Sequence, residues 1–358
     1  MTEQFFYPDS SGGSEISTAY LLDNLYRKNW QIEVICTCSF RSPSFRKTSW
    51  KDLNSLRISI PALVDRRQGY TIWRLMSKFV NTKRLINFLD KRLEEYQPDL
   101  ILGLGDINCP LLNHALNKKY NCFYIARVAE FMRSADSIPK EINIIANSPF
   151  MNLYLNKLTG KNYGVVLPFV EQKKYKIKTR QRKYVTFINP VPQKGVELVI
   201  EVAKQLPNVD FLFVKGNWFH YRGNEESFIQ EARLLPNIKI WDHQEDTRSI
   251  YEVTDILLVP SIFSETFGRI ILEAQINSIP VIASKVGGIE YTLGMGGILI
   301  DSDASSQAYV ESIERLKFDQ KFYSDISKLA FDNSQRSEFN PDFQVNNFID
   351  IVNNYLKS

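Results

Sequence analysis

Residues 264–274 read Ser264-Glu265-Thr266-Phe267-Gly268-Arg269-Ile270-Ile271-Leu272-Glu273-Ala274. They lie between two apolar runs of strand length, 256–259 and 280–283. An apolar run, a turn holding Gly268 and a longer apolar-periodic run read as strand, turn and helix. The first N–H groups of such a helix lack intrahelical partners, and its dipole is positive at that end, so the turn is suited to an anion. Glu265 and Glu273 stand on either side of it. A helix rises about 1.5 Å per residue, which puts the two carboxylates roughly 10 Å apart with room for the anion between them. The second apolar run ends in Ser284-Lys285-Val286-Gly287-Gly288, another polar turn at the same carboxyl edge. Ligands of open parallel sheets bind at that edge.

Two carboxylates bracketing an anion suit a molecule with a polyol at each end of a diphosphate, as in a nucleotide sugar. Glu265 would accept hydrogen bonds from the sugar and Glu273 from the ribose. Taken singly, each would be an ordinary loop or helix glutamate; the flanking strands and turns give the pair its meaning.

A chain of 358 residues exceeds the size at which one core keeps growing, so two domains are expected. Its 44% hydrophobic and 23% charged residues are globular values. No apolar run approaches the length of a membrane span. The start, Met1-Thr2-Glu3-Gln4-Phe5-Phe6-Tyr7, lacks a signal-peptide pattern and yields only a short first strand, so a trimmed or mis-assigned start is expected. Cys36, Cys38, Cys109 and Cys122 have no zinc spacing, and the three histidines do not pair at ligand spacing, so no metal site is expected. Without an export signal or a disulfide framework, the expected compartment is the cytoplasm.

Charge is uneven. Residues 41–92 hold 13 Lys/Arg against 3 Asp, a net of +10, which leaves −6 for the rest of a chain whose total is +4. Within this segment, 70–93 reads as a basic amphipathic helix with Trp73, Met76, Phe79 and Val80 on its apolar stripe. Such a helix can lie on an anionic membrane, although burial against its own domain's sheet is the favoured explanation of the stripe. The basic excess points to a phosphate-bearing or membrane-embedded acceptor and to peripheral membrane contact through 41–92; no nucleic-acid partner is expected.

Strand-like and helical runs alternate along the chain. Strands are expected at 5–7, 32–38, 56–60, 100–104, 123–128 and 142–146, with helices at 16–28, 72–96 and 111–119. A second series follows at 184–188, 211–214, 238–241, 256–259, 280–283 and 297–300. The Lys-, Arg- and Gln-rich run 171–183 reads as a solvated linker. The expected fold is α/β, with two facing Rossmann-like doubly wound parallel-sheet domains and a cleft between them. Their spans are 1–170, on the acceptor side, and 171–340, on the donor side, with a helix at 341–358 packing back on the first domain.

With these residues in place, the chain resembles the retaining glycosyltransferases of the two-Rossmann-domain (GT-B) fold, in particular glycosyltransferase family four. Glu265 and Glu273 match that family's pair of glutamates with seven residues between them. Thr266, Phe267 and Gly268 match the turn whose backbone amides meet the donor's distal phosphate, and Val281-Ile282-Ala283-Ser284-Lys285-Val286-Gly287-Gly288 matches the strand and turn that follow. Gly12-Gly13-Ser14-Glu15 resembles the family's N-terminal glycine loop. Ala146-Asn147-Ser148 and Val165-Val166-Leu167-Pro168 resemble the end of its first domain. Asn189-Pro190-Val191-Pro192-Gln193-Lys194-Gly195 resembles the segment carrying an Arg and a Lys that clamp the diphosphate.

Lys194 keeps the family lysine, whereas the arginine position holds Asn189, which carries no charge. Arg269 and Arg127 are the candidates to supply the missing cation. No histidine follows 123–128, where the family often has one; Arg127 and Glu130 are the polar groups there. The resemblance implies transfer of a sugar, with retention, from a nucleotide-diphosphate donor (UDP-linked by expectation) to an acceptor hydroxyl, without metal or other cofactor. Lys194 and Glu265 are the implied catalytic residues. Gly13, Asn189, Thr266, Phe267, Gly268, Arg269 and Glu273 are the implied donor-binding residues, with Asp242, His243 and Gln244 beside the base. A nucleotide-sugar epimerase of the same fold would need an acid/base pair at the sugar, and no clear His–carboxylate set is present. A catalytically weak partner subunit remains a rival, given Asn189. A dinucleotide-dependent oxidoreductase lacks its Gly-x-Gly-x-x-Gly after any strand.

Overall fold

In a computed structural model of the chain, the residues described are 6–9, 12–40, 42, 44, 49–52, 60–104, 110–129, 134, 136, 138–216 and 224–357. The chain divides into two compact units, one of residues 1–169 with 345–358, the other of 170–344.

In the first unit the strands are β1 (Glu33–Cys38), β2 (Ser49–Asp52), β3 (Pro61–Asp65), β4 (Thr71–Met76), β5 (Ile101–Gly103), β6 (Cys122–Ala126), β7 (Asn143–Ala146) and β8 (Gly164–Val165). The helices are α1 (Gly13–Arg27), α2 (Thr82–Tyr96), α3 (Pro110–Asn117) and α4 (Pro149–Thr159). Strands β5 to β8 form a parallel sheet in chain order. A second sheet has the order β1-β4-β3-β2, with β1 and β4 parallel and the β4-β3-β2 pairs antiparallel. The C-terminal helix begins in the other unit and supplies Val345, Phe348 and Val352 to a core with Leu21, Leu25, Phe123 and Ile145.

Three sequence expectations are corrected here. The helix expected at 72–96 is strand β4 followed by α2, which starts only after Asn81 accepts a hydrogen bond from the Arg84 amide as its N-cap. Trp73 and Met76 therefore sit in the core as strand residues, not on the face of a surface helix. The reason is Arg74, which looked like the polar side of a helix. It is fully buried, 3.1 Å from Asp9 and 3.2 Å from Asp65, and also donates to the Phe6 and Tyr7 carbonyls. Arg92 likewise pairs with Glu33 at 2.6 Å, over the Trp73 ring. Two of the thirteen cations of 41–92, Arg74 and Arg92, are thus paired inside the unit with Asp9 and Glu33, which lie outside that segment. No strand forms at Phe6 and Tyr7; Phe5 and most of 56–60 lie outside the described residues, as do Cys109 and Glu130.

The second unit contains β9 (Tyr184–Ile188), β10 (Phe211–Val214), β11 (Ile238–Trp241), β12 (Thr254–Val259), β13 (Val281–Ser284) and β14 (Gly297–Ile300). Its helices are α5 (Gln172–Tyr175), α6 (Val196–Gln205), α7 (Asn224–Arg233), α8 (Arg248–Val253), α9 (Arg269–Gln275), α10 (Ile289–Leu293), α11 (Ser306–Phe318) and α12 (Gln320–Ser334); α13 (Pro341–Lys357) leads out. The six strands are all parallel, in the order β11-β10-β9-β12-β13-β14. Counted within the unit, this is the 3-2-1-4-5-6 order of a doubly wound sheet, whose switch point lies between β9 and β12. Strands buried on both faces need continuous apolar side chains, and β10 and β12 are buried along their whole length.

The run 171–183 is mostly exposed, as expected of a solvated segment, but it is a strap pinned to this unit at several points. Tyr175 is buried. Lys176 Nζ donates to the Ile276 carbonyl at 2.8 Å, the Ile177 amide to Asn277 Oδ1 at 2.9 Å, and Arg180 to the Ser278 carbonyl at 2.7 Å. Composition marked the run as polar; the backbone oxygens that receive its cations lie about a hundred residues away in sequence.

Candidate functional site

Because all six strands of the second unit run parallel, their carboxyl ends share one edge. Asn189 and Lys194 follow β9, Lys215 follows β10, Asp242 to Gln244 follow β11, Ser261 to Glu265 follow β12, and Ser284 to Gly288 follow β13. The loops after β9 and β12, on either side of the switch point, are stitched together. The Ile262 amide donates to the Gln193 carbonyl at 3.0 Å. Gly195 has φ +85°, and a Cβ there would lie 2.2 Å from the Pro260 oxygen, so only glycine permits this approach.

The stitching brings Lys194 to Glu265, with Nζ 2.7 Å from Oε1. Ser261 donates to the same Oε1, and Lys194 lies 4.6 Å from the centre of the Phe263 ring. Ser261 and Glu265 are buried. Both donors converge on one oxygen, and a carboxylate has two oxygens with about four acceptor positions, so capacity remains for a ligand hydroxyl. An ammonium group has three donors, so Lys194 can keep Glu265 and still meet a phosphate.

The Gly287-Gly288 turn lies beneath the Glu265–Thr266 backbone. The Gly288 amide donates to the Glu265 carbonyl at 2.6 Å. A Cβ on Gly287 or Gly288 would come within 2.1 Å of the Glu265 or Thr266 oxygen. Gly268, with φ +78°, caps α9, and Phe267 is buried edge-on against Phe339.

Glu273 lies on the buried side of α9. The Tyr251 hydroxyl donates to its Oε2 at 2.8 Å, and Arg269 Nη2 stands 3.3 Å from its Oε1. Arg269 also donates to the Tyr175 hydroxyl at 2.7 Å. Burial works against the Arg269 charge, and Tyr175 and Glu273 more than restore it. Burial likewise pushes the Tyr175 and Tyr251 hydroxyls well above their usual range, with the Glu273 charge adding to it.

At the β11 edge, Asp242 is exposed and pairs with Lys215 at 2.9 Å, and Gln244 donates to the Asp242 carbonyl at 2.8 Å. Burial lowers the His243 imidazole from its usual range. Asn189 has φ +62°, a left-handed conformation that Asn tolerates better than most residues. Its side chain lies over Gly216, where a Cβ would be 2.6 Å from Asn189 Oδ1. In the first unit, Gly13 opens α1 behind Gly12, and Arg127 donates to the Ser14 carbonyl at 2.7 Å and Thr18 Oγ1 at 2.6 Å.

Sequence reasoning did not single out Ser261, Tyr251, Tyr175 or Lys215. Ser261 and Lys215 had a signal in hindsight, since each lies within two residues of the carboxyl end of a strand. Nothing local marks the two tyrosines.

Residues 170–332 match the family model described as glycosyl transferases group 1. A D-inositol 3-phosphate glycosyltransferase of Mycolicibacterium smegmatis is 29% identical over 131 residues, which cover 34% of this chain and 29% of that protein. One from Segniliparus rotundus is 32% identical over 151 residues, covering 37% and 33%. The matched stretch thus spans about a third of these relatives' length. Among solved structures, a glycosyltransferase from Rickettsia africae superposes with a TM-score of 0.73 at 17% identity, covering 97% of this chain and 96% of that one. HepE of Anabaena, solved with UDP-glucose, gives 0.74 at 17% identity, covering 98% and 97%. Sucrose-phosphate synthase from Thermosynechococcus elongatus gives 0.77 at 16% identity, covering 98% and 95%. These likenesses are of fold, and the fold is the two-Rossmann-domain (GT-B) class. Residues 170–332, where the switch-point pair Lys194–Glu265 and the Gly-Gly turn lie, are the part of this chain that is similar to the glycosyl transferases group 1.

Proposed function

We propose that this chain moves a sugar from a nucleoside-diphosphate sugar to an acceptor hydroxyl, with retention at the anomeric carbon and without a metal ion. The observation that carries the reading is the Lys194–Glu265 pair, 2.7 Å apart at the switch point of a parallel sheet. Negative charge builds on the leaving diphosphate as the glycosidic bond breaks. Lys194 and the backbone amides of Thr266 to Gly268 oppose that charge. Glu265 holds the sugar hydroxyls, and Glu273 holds the ribose. Asp242, His243 and Gln244 lie beside the base, and the leaving phosphate takes the acceptor's proton.

The donor in this reading is UDP-linked, which the fold likeness to an enzyme solved with UDP-glucose supports. The acceptor is phosphate-bearing or membrane-embedded; the former is supported by relatives named for inositol 3-phosphate. The setting is the cytoplasm, in keeping with free thiols at Cys36, Cys38 and Cys122. No helix among the described residues is long and apolar enough to cross a membrane.

The test is a thermal-shift panel of UDP, GDP, ADP and TDP, since a ligand that binds the native state raises its melting temperature. One nucleotide should stand out. Incubation with the matching nucleotide sugar should then release or transfer the sugar, whereas an isomerised sugar would mark an epimerase. If none of the four diphosphates shifts the melting temperature, the donor reading is lost.

A further inference from the structure

Glu273 is held by a set of buried groups that reaches the strap at the start of the second unit. Its Oε2 accepts from Tyr251, which is fully buried, and its Oε1 faces Arg269. Arg269 divides its donors between Glu273 and the hydroxyl of Tyr175, which is 3% exposed and belongs to the strap. Asn277 closes the arrangement from below α9. Its Nδ2 donates to the Tyr175 carbonyl at 2.9 Å and to the Glu273 carbonyl at 3.1 Å, and its Oδ1 accepts from the Ile177 amide. The strap is therefore fixed to the same helix turn that carries Glu273.

Each oxygen of a carboxylate accepts about two hydrogen bonds. Tyr251 occupies one position on Oε2, and Arg269 sets both Nε, at 3.4 Å, and Nη2, at 3.3 Å, against Oε1. A position on Oε2 stays open, and the two contacts on Oε1 are long enough to be shared with a second hydroxyl, which suits the adjacent hydroxyls of a ribose. Two neighbouring hydroxyls need both oxygens presented at a fixed rotation, and opposed donors on the two oxygens set that rotation.

We propose that Tyr175 and Tyr251 are positioning residues that orient the Glu273 carboxylate for the vicinal diol of a nucleoside diphosphate, Tyr251 directly and Tyr175 through Arg269. The inference rests on the donor reading given above, in which Glu273 meets the ribose. It adds that the strap takes part in nucleotide recognition without touching the nucleotide.

The test compares ribo- with 2′,3′-dideoxy-nucleoside diphosphates, using UDP with dideoxy-UDP and ADP with dideoxy-ADP, by titration calorimetry on the full chain. The wild type should prefer the ribo form. Tyr175→Phe and Tyr251→Phe should each weaken the ribo form by about 10-fold, the loss of one hydrogen bond to a charged group, and leave the dideoxy form within about two-fold. A purely structural role would weaken both forms alike, and that result overturns the proposal, as does an unchanged ribo affinity in both variants. Circular dichroism and melting temperature check that each variant is folded; should one be unfolded, the other decides. A wild type that binds the diphosphates without preferring the ribo form overturns this inference alone. A wild type that binds none overturns the donor reading with it.

Discussion

Lys194 and Glu265, 71 residues apart in sequence, meet at 2.7 Å because the loops after β9 and β12 are held together across the switch point. The contact places a cation and a carboxylate where the sheet's own geometry directs a ligand. The Lys194 side chain is 22% exposed and that of Glu265 9%. A partly desolvated pair of this kind is worth little as a source of stability, since desolvation offsets much of the attraction. Its value lies in having charge already arranged before a ligand arrives.

Lys194→Ala should lower turnover more than donor binding. If Lys194 meets charge that develops only in the transition state, kcat should fall by about 100-fold or more while donor affinity changes far less. Steady-state kinetics beside calorimetric titration of the donor separate the two. A variant with normal turnover would remove Lys194 from the phosphate role.

Gly288→Ala should distort the site from below. The added Cβ would have to displace the Thr266 oxygen, 2.1 Å away, and the Glu265–Thr266 backbone with it. A backbone shift in a buried turn falls in the upper range of single-site effects, about 2–4 kcal/mol. In a chain of this size that lowers the melting temperature by several degrees, on the order of 2–4 °C per kcal/mol. Calorimetry reads the stability, and nucleotide titration should show a parallel loss of affinity. Gly160→Ala serves as the control, because a Cβ there meets nothing within 4 Å and only its φ of +70° opposes the change.

Acid should weaken the first unit through Asp65. Burial raises its carboxyl pKa, but hydrogen bonds from Arg67 and the charges of Arg74 and Arg67 more than offset this and hold it down at about 2. A carboxyl whose folded pKa lies below its unfolded value stabilises the fold above the unfolded value and loses that contribution as pH falls toward 2. The shift amounts to about 2 kcal/mol. Asp65→Asn should therefore be markedly less stable than the wild type in urea at pH 7, with the gap narrowing as the pH falls through 4 toward 2. A gap that stays constant across this range would show that Asp65 stabilises the fold by something other than its charge.

The second unit's central strands were legible because parallel strands buried on both faces are mostly apolar, and the runs 184–188 and 211–214 coincide with β9 and β10. The runs 238–241 and 297–300 coincide with the edge strands β11 and β14, which are only partly buried. The first unit was harder to read. Strand β3 begins at Pro61 and pairs antiparallel with its neighbours, and β4 carries Arg74 in its centre, so neither shows a clean apolar run. A buried arginine cannot be told from an exposed one without knowing that Asp9 and Asp65 face it. The same holds for the site: Glu265, Lys194 and the glycine turns are marked by motif spacing, but Tyr175 and Tyr251 reach Glu273 and Arg269 only through packing.

Glu273→Gln is the substitution that isolates the ribose role. Alanine would remove the acceptor from Tyr251 and the carboxylate from Arg269, both buried, and truncating one member of a buried charged pair costs about 3–5 kcal/mol. Any loss of nucleotide affinity would then be mixed with a loss of fold. Glutamine keeps the shape and one acceptor oxygen, enough for Tyr251 or for Arg269; Arg269 retains the Tyr175 hydroxyl in either case, and the charge disappears. The expected outcome is a melting temperature within a few degrees of the wild type and a nucleoside-diphosphate affinity lower by about 10-fold or more, as a charged acceptor is replaced by a neutral one. Calorimetric titration of the best-binding diphosphate, with a melting curve on the same sample, measures both. Affinity equal to that of the wild type would mean that the carboxylate serves only Arg269 and the strap, and that the ribose is held elsewhere on the sheet edge.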